Sequence, residues 1–458
     1  MATVRPWGCV DGTLAAVQLT PSDAQMYWLA ERIHSDQFLL YCFAGDVDTD
    51  AVRAAVRRRV AEVGELRCRI REVPKNLDYP YWEPREYSDD LVVEHVLTNH
   101  TWAEVQERLG SLVATSIDAR TSPWRVHVFA GVRDAPRCDG TAVVVVFHVS
   151  HAFADGARAT ALVRALFGTE GPPRSPAPDA VSMSMMLIRS LRFPVRFARL
   201  VAAGRRAAAA DRALTEATAA GEIPEPAAGR PLVGINTAPG DERAVRMVVC
   251  PAEELRGTGV TVTVAALTAI SVALPRFLEL RGETVPDRLG AEVTIAVDAT
   301  GESRNNYRNA GIDLFVTEPD LSARAALIAD DIADRRARLS SPLLMQRDSA
   351  NAFVPAPLLK FGIDRYSLGE VPETVTGNTV VSSVNRGHAD LELDGAPVMF
   401  SAGFPGLSPV MALTHGVYGL GDTVTIGINS SPRAVPDIDE YESMLREAII
   451  EVRVALGG

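Results

Sequence analysis

The chain has 458 residues, room for two large domains or roughly three at ~150 residues each. Hydrophobic residues make up 47% and charged residues 23%, which supplies a core and excludes global disorder. The 58 acids outnumber the 46 bases, giving a formal net charge of −12, which argues against a nucleic-acid binder held by backbone phosphates.

In chain order, Met1–Thr20 lacks the basic and apolar regions of a signal peptide. Thr20-Pro21-Ser22-Asp23 reads as a helix start: Thr20 caps, Pro21 suits the first turn, and Asp23 sits where a capping box places its acid. That helix is expected to reach Ile33. A strand at Phe38–Phe43 and helices at Asp50–Val63 and Trp102–Ser116 follow. Strands are expected at Val126–Val132 and Ala142–Ser150, the second so rich in valine that both its faces should be buried. A helix at Gly156–Phe167 starts directly after it. Gly168–Ala180 and Gly221–Gly240, rich in Pro and Gly, read as linker. Strands are then expected at Ala244–Cys250, Ala291–Val297 and Gly311–Val316, with helices at Thr261–Leu280 and Ser322–Arg338. Strands near Thr379–Val384, Val398–Gly403, Val410–Tyr418 and Thr423–Ile428 precede a last helix at Pro436–Val454. The strict strand–helix–strand rhythm of a doubly wound sheet is missing. The expectation is α/β of the α+β kind, with mixed sheets and helices on one side. The parts are 1–170, a linker at 171–240, and 241–458.

Cys9, Cys42, Cys68, Cys138 and Cys250 are scattered, with no metal-ligand spacing, so no metal site and no structural disulfide is expected. No apolar run approaches the ~18 residues that span a bilayer. A cytoplasmic protein is expected, with any membrane contact peripheral, at the inner face.

The chemical centre is His148-Val149-Ser150-His151-Ala152-Phe153-Ala154-Asp155-Gly156. It lies where a buried strand ends and a helix begins, which puts an imidazole on a rigid support at a cleft. Histidine is the side chain best suited to general-base work near neutral pH. The bland reading is that Asp155 caps the following helix and both histidines are core residues. Strand alternation sends His148 and His151 to opposite faces and makes His148 the core residue. Trp124 and Arg125 read as packing and solvent residues. His388 and His415 have no spacing that ties them to the cleft.

This segment resembles the HHxxxDG motif of the bacterial wax ester synthase/diacylglycerol acyltransferase family, within the chloramphenicol acetyltransferase and condensation-domain fold. The resemblance covers most of the chain. Leu19–Ala24 is similar to the family's LSPxDA opening, with Glu31 at its LxxE glutamate. Ile117-Asp118 and Pro123-Trp124 resemble its LDRxRPLW stretch, and Thr261–Leu280 its TVNDV helix. Gly395–Pro405 resembles GAxVxxxYP, and Val435-Pro436-Asp437 the closing VPD.

The resemblance implies two chloramphenicol acetyltransferase-like domains with the active site at their interface. It implies His151 as the base that deprotonates an acceptor hydroxyl, which then attacks an acyl-CoA thioester. Asp155 would orient the turn through a salt bridge, with Arg304 as one candidate partner. Gly156 would keep bulk out of the substrate tunnels, and Ser150, Thr263 and Ser383 would line the substrate path. No cofactor is implied beyond acyl-CoA as substrate; the acceptor would be diacylglycerol or a long-chain alcohol. Three departures stand out. Ser150 replaces the first histidine, Thr263-Val264 replaces the ND pair, and Ser383–Gly387 replaces NVPGP. They leave three readings open: the family's own activity, a glycolipid or specialised-metabolite acyltransferase of the same fold, and a non-catalytic acyl-CoA or lipid binder.

Ser182–Ala210 carries six arginines and no acid. On one helix, Arg189, Arg192, Arg196 and Arg199 form a stripe, and Met186, Phe193, Phe197 and Leu200 another face. That is the pattern of an amphipathic segment at a membrane or lipid-droplet surface; the alternative is a packed helix whose arginines meet acids. Pro194 must end or kink the helix there.

Overall fold

The computed structural model describes residues 17–172, 174–256, 259–297 and 303–457. Cys9 and most of Met1–Thr20 lie outside them. The N-terminal part runs α1 (Pro21–Leu29), β1 (Gln37–Ala44), α2 (Thr49–Val60), β2 (Cys68–Arg71), β3 (Tyr81–Pro84), β4 (Val92–Glu94), α3 (Trp102–Val113), β5 (Trp124–Val132), β6 (Ala142–Val149) and α4 (Gly156–Phe167). Helices α5 (Met183–Ser190) and α6 (Phe193–Ala219) follow. The rest is β7 (Ala244–Pro251), α7 (Val262–Leu280), β8 (Gly290–Ala296), β9 (Tyr307–Asp313), α8 (Leu321–Leu339), α9 (Pro342–Asp348), α10 (Ala356–Arg365), β10 (Thr379–Asn385), β11 (Glu392–Leu393), β12 (Ala396–Gly403), β13 (Leu413–Leu420), β14 (Thr423–Ser430) and α11 (Ile438–Ala455).

Two six-stranded mixed sheets form the body. The first has the order β11-β12-β1-β6-β5-β4 and the second β7-β14-β13-β10-β8-β9. β4 runs parallel to β5 in the first, and β10 runs parallel to both β8 and β13 in the second. The valine run of β6 is buried at every position, as its composition predicts. Each such side chain contributes about 2 kcal/mol by leaving water.

Four expectations need correction. Helices cover both faces of the first sheet, not one. Val52, Val56 and Val60 of α2 and Leu162 and Val163 of α4 pack with Val143, Val145 and Phe147; Val105 and Leu109 of α3 pack with Val144 and Val146 on the other side. The division near residue 241 does not partition the sheets, because β11 and β12 join the first sheet, where β12 pairs with β1 (Tyr41 opposite Ser401). The amphipathic stretch expected as one helix within 171–240 forms two, α5 and α6, broken after Ser190, with Pro194 in the first turn of α6, where its missing N–H costs nothing. The strand expected at Gly311–Val316 is displaced upstream to Tyr307–Asp313. Phe315, in a left-handed conformation (φ 45°), bends the chain away after it.

Helix α7 is long and apolar enough to cross a membrane, but most of it is buried, packed against α8 and α11. The core also holds polar pairs. His148 Nε2 meets Asp36 Oδ2 at 2.9 Å with both side chains buried, so His148 is a core residue, as strand alternation predicts. His415 is fully buried, enclosed between Thr379 Oγ1 (2.9 Å) and the Tyr441 hydroxyl (2.7 Å).

Burial pushes His127 down to about 2 and His415 down to about 3, because the charged imidazole loses its hydration. Both are neutral in the folded chain, whereas in the unfolded chain they protonate below about pH 6.5. Their contribution is therefore complete above that pH and is lost as pH falls below it, by about 1.4 kcal/mol per pH unit for each. Urea unfolding midpoints should drop between about pH 7 and pH 5, and the His415→Asn variant should show a shallower drop. Equal slopes in the two proteins would show that His415 is not held neutral.

Candidate active site

β6 ends at Val149, and the chain turns at once. The Ser150 N–H donates to Pro123 O (2.8 Å), and the Phe153 N–H donates back to Ser150 O (2.9 Å). Ser150 is buried inside this turn. His151, the next residue, is half-buried and projects away from His148 toward the segment leading into β9. There His151 Nδ1 lies 2.8 Å from Asn305 Oδ1, and Nε2 lies 3.3 Å from the Tyr307 hydroxyl. Burial pushes the Tyr307 phenol up to about 12, aided by the nearby Asp155 charge, so it keeps its proton at neutral pH.

Asn305 is held from two sides. Its amide Nδ2 donates to Asp23 Oδ1 (2.9 Å) and to the His151 carbonyl (3.0 Å). Asp23 is not used as a capping box would use it. Its carboxylate accepts the Thr20 hydroxyl (2.8 Å) and the Arg304 N–H (3.0 Å), so it joins α1 to the 303–306 segment. Burial raises its pKa, opposed by the Asn305 hydrogen bond and the Arg304 charge.

Asp155 caps α4 by accepting the Arg158 N–H (2.8 Å) on Oδ1, and accepts the Asn306 N–H (3.0 Å) on Oδ2. Its own N–H donates to Arg304 O (3.2 Å). These described partners of Asp155 are backbone groups, not the guanidinium that a salt bridge requires. The Arg304 guanidinium instead lies 3.7 Å from Glu65 and between the rings of Trp82 and Phe153, at 4.5 and 4.8 Å from their centroids. Burial and the neighbouring Arg158 charge lower its pKa to about 10, which leaves it charged at neutral pH.

Gly156 opens α4 against Val384; a Cβ there would lie 3.3 Å from Val384 Cγ2, so little bulk fits. Thr263, in the first turn of α7, and Ser383 on β10 share a hydrogen bond between their hydroxyls at 2.8 Å. Ser383 is next to Val384 on β10, where strand alternation turns the two side chains to opposite faces. Trp124 is buried, its indole N–H on Leu66 O (2.9 Å), and His388 is exposed. Asn305, Asn306 and Tyr307 lie outside the sequence motifs. Their only signal is two adjacent asparagines just before a strand, which is as common in turns as in sites.

The wax ester synthase/diacylglycerol acyltransferase catalytic-domain model matches residues 19–264, and the C-terminal-domain model of the same family matches residues 311–453. The chain belongs to this family. Among solved structures it is similar to the wax ester synthase/diacylglycerol acyltransferase from Marinobacter aquaeolei VT8, with a TM-score of 0.63 and 16% identity over 96% of this chain and 100% of that one. It is also similar in fold to the starter condensation domain of rhizomide synthetase, solved with C8-CoA and Leu-SNAC, with a TM-score of 0.54, 12% identity and coverage of 97% and 95%. The first condensation domain of the calcium-dependent antibiotic synthetase gives a TM-score of 0.53 at 15% identity, covering 97% and 98%. Membership of the wax ester synthase/diacylglycerol acyltransferase family supports an acyl-CoA-dependent O-acyltransferase reaction.

The Asp155 geometry makes a prediction. Asp155→Ala loses the cap and the Asn306 tether and should destabilise the chain by about 2 kcal/mol. Asp155→Asn keeps an acceptor for the Arg158 N–H and should cost roughly half as much. Thermal or urea unfolding of the two variants checks the order.

Proposed function

We propose that the chain is an O-acyltransferase that moves a long-chain acyl group from acyl-CoA to the hydroxyl of diacylglycerol or a fatty alcohol, with His151 as general base. The carrying observation is the half-buried His151, engaged at Nδ1 and facing a hydroxyl at Nε2. In this reading the acceptor O–H gives its proton to Nε2 as its oxygen bonds to the thioester carbonyl carbon. The tetrahedral adduct then expels CoA, whose sulfur takes the proton back from the imidazolium, leaving the ester and free CoA thiol. The active site lies between the two sheets, where the turn after β6 meets the segment before β9. Asp155 acts by fixing that turn, Gly156 by leaving room beside Val384, and buried Ser150 by holding the strand end. The hydroxyl pair of Thr263 and Ser383 keeps polar groups where the family's pattern has other residues. That favours a working site with altered substrates over a decayed one.

The same reading places the enzyme at a lipid surface through α5 and α6. The break after Ser190 changes the expected faces. Met186 turns inward against Val73, Tyr81 and Val181, and Arg196 pairs with the buried Asp78. Leu187, Ile188, Leu191, Phe193, Val195 and Phe197 stand in solvent, Leu191 at 77% exposure. Arg192, Arg199, Arg205 and Arg206 are exposed beside them. A clustered apolar surface rimmed by cations suits an anionic bilayer or lipid-droplet surface.

Thiol release from palmitoyl-CoA with a panel of diacylglycerol and fatty alcohols tests the chemistry. Turnover is expected in the native chain and a fall of about a hundredfold or more in His151→Ala. Equal background in both would sink the reading, and acyl-CoA binding without turnover would mark a lipid binder. Sedimentation with phosphatidylglycerol vesicles tests the surface: Ile188→Ser/Leu191→Ser/Phe197→Ser should bind less, and unchanged binding would reject it.

A further inference from the structure

We propose that Asp23 and Asn305 are positioning residues that fix the tautomer and the ring orientation of His151, so that Nδ1 carries the proton and Nε2 presents the lone pair. The inference rests on the base assignment above and extends it to two residues outside the HxxxDG motif.

An amide side chain has one acceptor atom and one donor group, and its orientation is set by its neighbours. Asn305 Nδ2 faces two acceptors, the Asp23 carboxylate at 2.9 Å and the His151 carbonyl at 3.0 Å. Turning the amide over would set its oxygen against both. Asn305 Oδ1 must therefore be the atom 2.8 Å from His151 Nδ1, and an oxygen there accepts only if Nδ1 bears hydrogen. Neutral imidazole has one N–H, so Nε2 is the free base, and the Tyr307 hydroxyl at 3.3 Å donates to it. An acceptor alcohol replaces the tyrosine hydroxyl as hydrogen-bond donor at the same nitrogen.

Asp23 sits one step further out. Its carboxylate receives Asn305 Nδ2, the Arg304 N–H and the Thr20 hydroxyl, and no described donor other than these and Ser303 Oγ reaches it. Arg304, Asn305 and Asp23 are thereby locked in one geometry. The Asn305 amide also grips the His151 carbonyl, so a single side chain holds both the backbone and the ring of the histidine. In this arrangement a neutral amide holds the position that a carboxylate occupies in acid–base triads. It fixes the tautomer without stabilising the imidazolium as a charge would.

That difference supplies the test. In Asn305→Ala the neutral ring is free to take either tautomer and to rotate, so kcat should fall about tenfold or more while KM for acyl-CoA stays within about twofold. The exchange Asp23→Asn/Asn305→Asp keeps a donor–acceptor pair but moves the negative charge next to Nδ1. It should recover much of kcat, and the acidic limb of the kcat profile should move to higher pH, because a carboxylate favours imidazolium. Nitrogen-15 NMR of labelled histidine reads the tautomer without any turnover: Nδ1–H is expected in the native chain and a mixture in Asn305→Ala. A native spectrum with Nε2–H, or an exchange variant whose pH limb stays in place, overturns the proposal. If NMR shows Nδ1–H but no thiol is released, the positioning stands and the acyl-transfer reading fails.

Discussion

One buried carboxylate carries the geometry of the site. Asp23, in the first turn of α1, is 1% exposed and bonded across a gap of about 280 residues to the backbone of Arg304 and the amide of Asn305. Through them it holds the segment that precedes β9 against the turn that follows β6. Removing an acceptor from such a cluster leaves several donors unsatisfied in a low-dielectric interior, which is far costlier than losing one exposed contact. The same segment is gripped a second time from the other end, where Asp155 Oδ2 takes the Asn306 N–H. Two carboxylates, one from α1 and one from the cap of α4, thus clamp three consecutive residues. His151 sits between the clamps.

The second constraint is cationic. Arg304 is fully buried, and its guanidinium is sandwiched by Trp82 and Phe153 with Glu65 nearby. Glu65 also pairs with Arg158 on α4. A buried charge of this kind costs several kcal/mol in lost hydration and is tolerated only where partners are fixed. Its value is positional: the side chain anchors the 303–306 segment beneath the turn that follows β6, while its carbonyl accepts the Asp155 N–H. The groups that join the turn after β6 to the segment before β9 are the same groups that surround His151.

Much of the first sheet could be read from sequence because its signals are local. The valine run of β6, the Thr20 and Asp155 caps and the Gly156 start of α4 each depend on a few neighbouring residues, and the structure places them accordingly. The short strands β2, β3 and β4 lack an alternating pattern long enough to stand out, and α9 and α10 lie in a stretch without strong periodicity. The insertion of β12 into the first sheet is a long-range choice. Gly403 lies so close to the Tyr418 ring, and to Gly416 and Gly427 through its carbonyl, that no side chain fits at that crossing, yet nothing in the strand's own pattern reveals its partner. The site divides in the same way. His151 and Asp155 announce themselves by motif, while Asn305 becomes visible only when the fold brings it 2.8 Å from the imidazole.

The two candidate membrane-facing segments show why exposure decides where hydropathy does not. α7 has the greater apolar run, but its residues are covered by α8, α11 and the second sheet, so its hydrophobic surface is already used in the core. α5 and the start of α6 are more polar on average, interrupted by arginines, and broken after Ser190. Their inward contacts, Met186 in the small cluster beneath and Arg196 on Asp78, fix the pair to the body, while Leu187, Ile188, Leu191 and Val195 stay exposed. In a chain of net charge −12, an acid-free stretch with four of its six arginines exposed is a local reversal of sign. In the proposed lipid-surface reading, attraction at this stretch and repulsion of the rest of the acidic molecule would together orient the protein at an anionic surface.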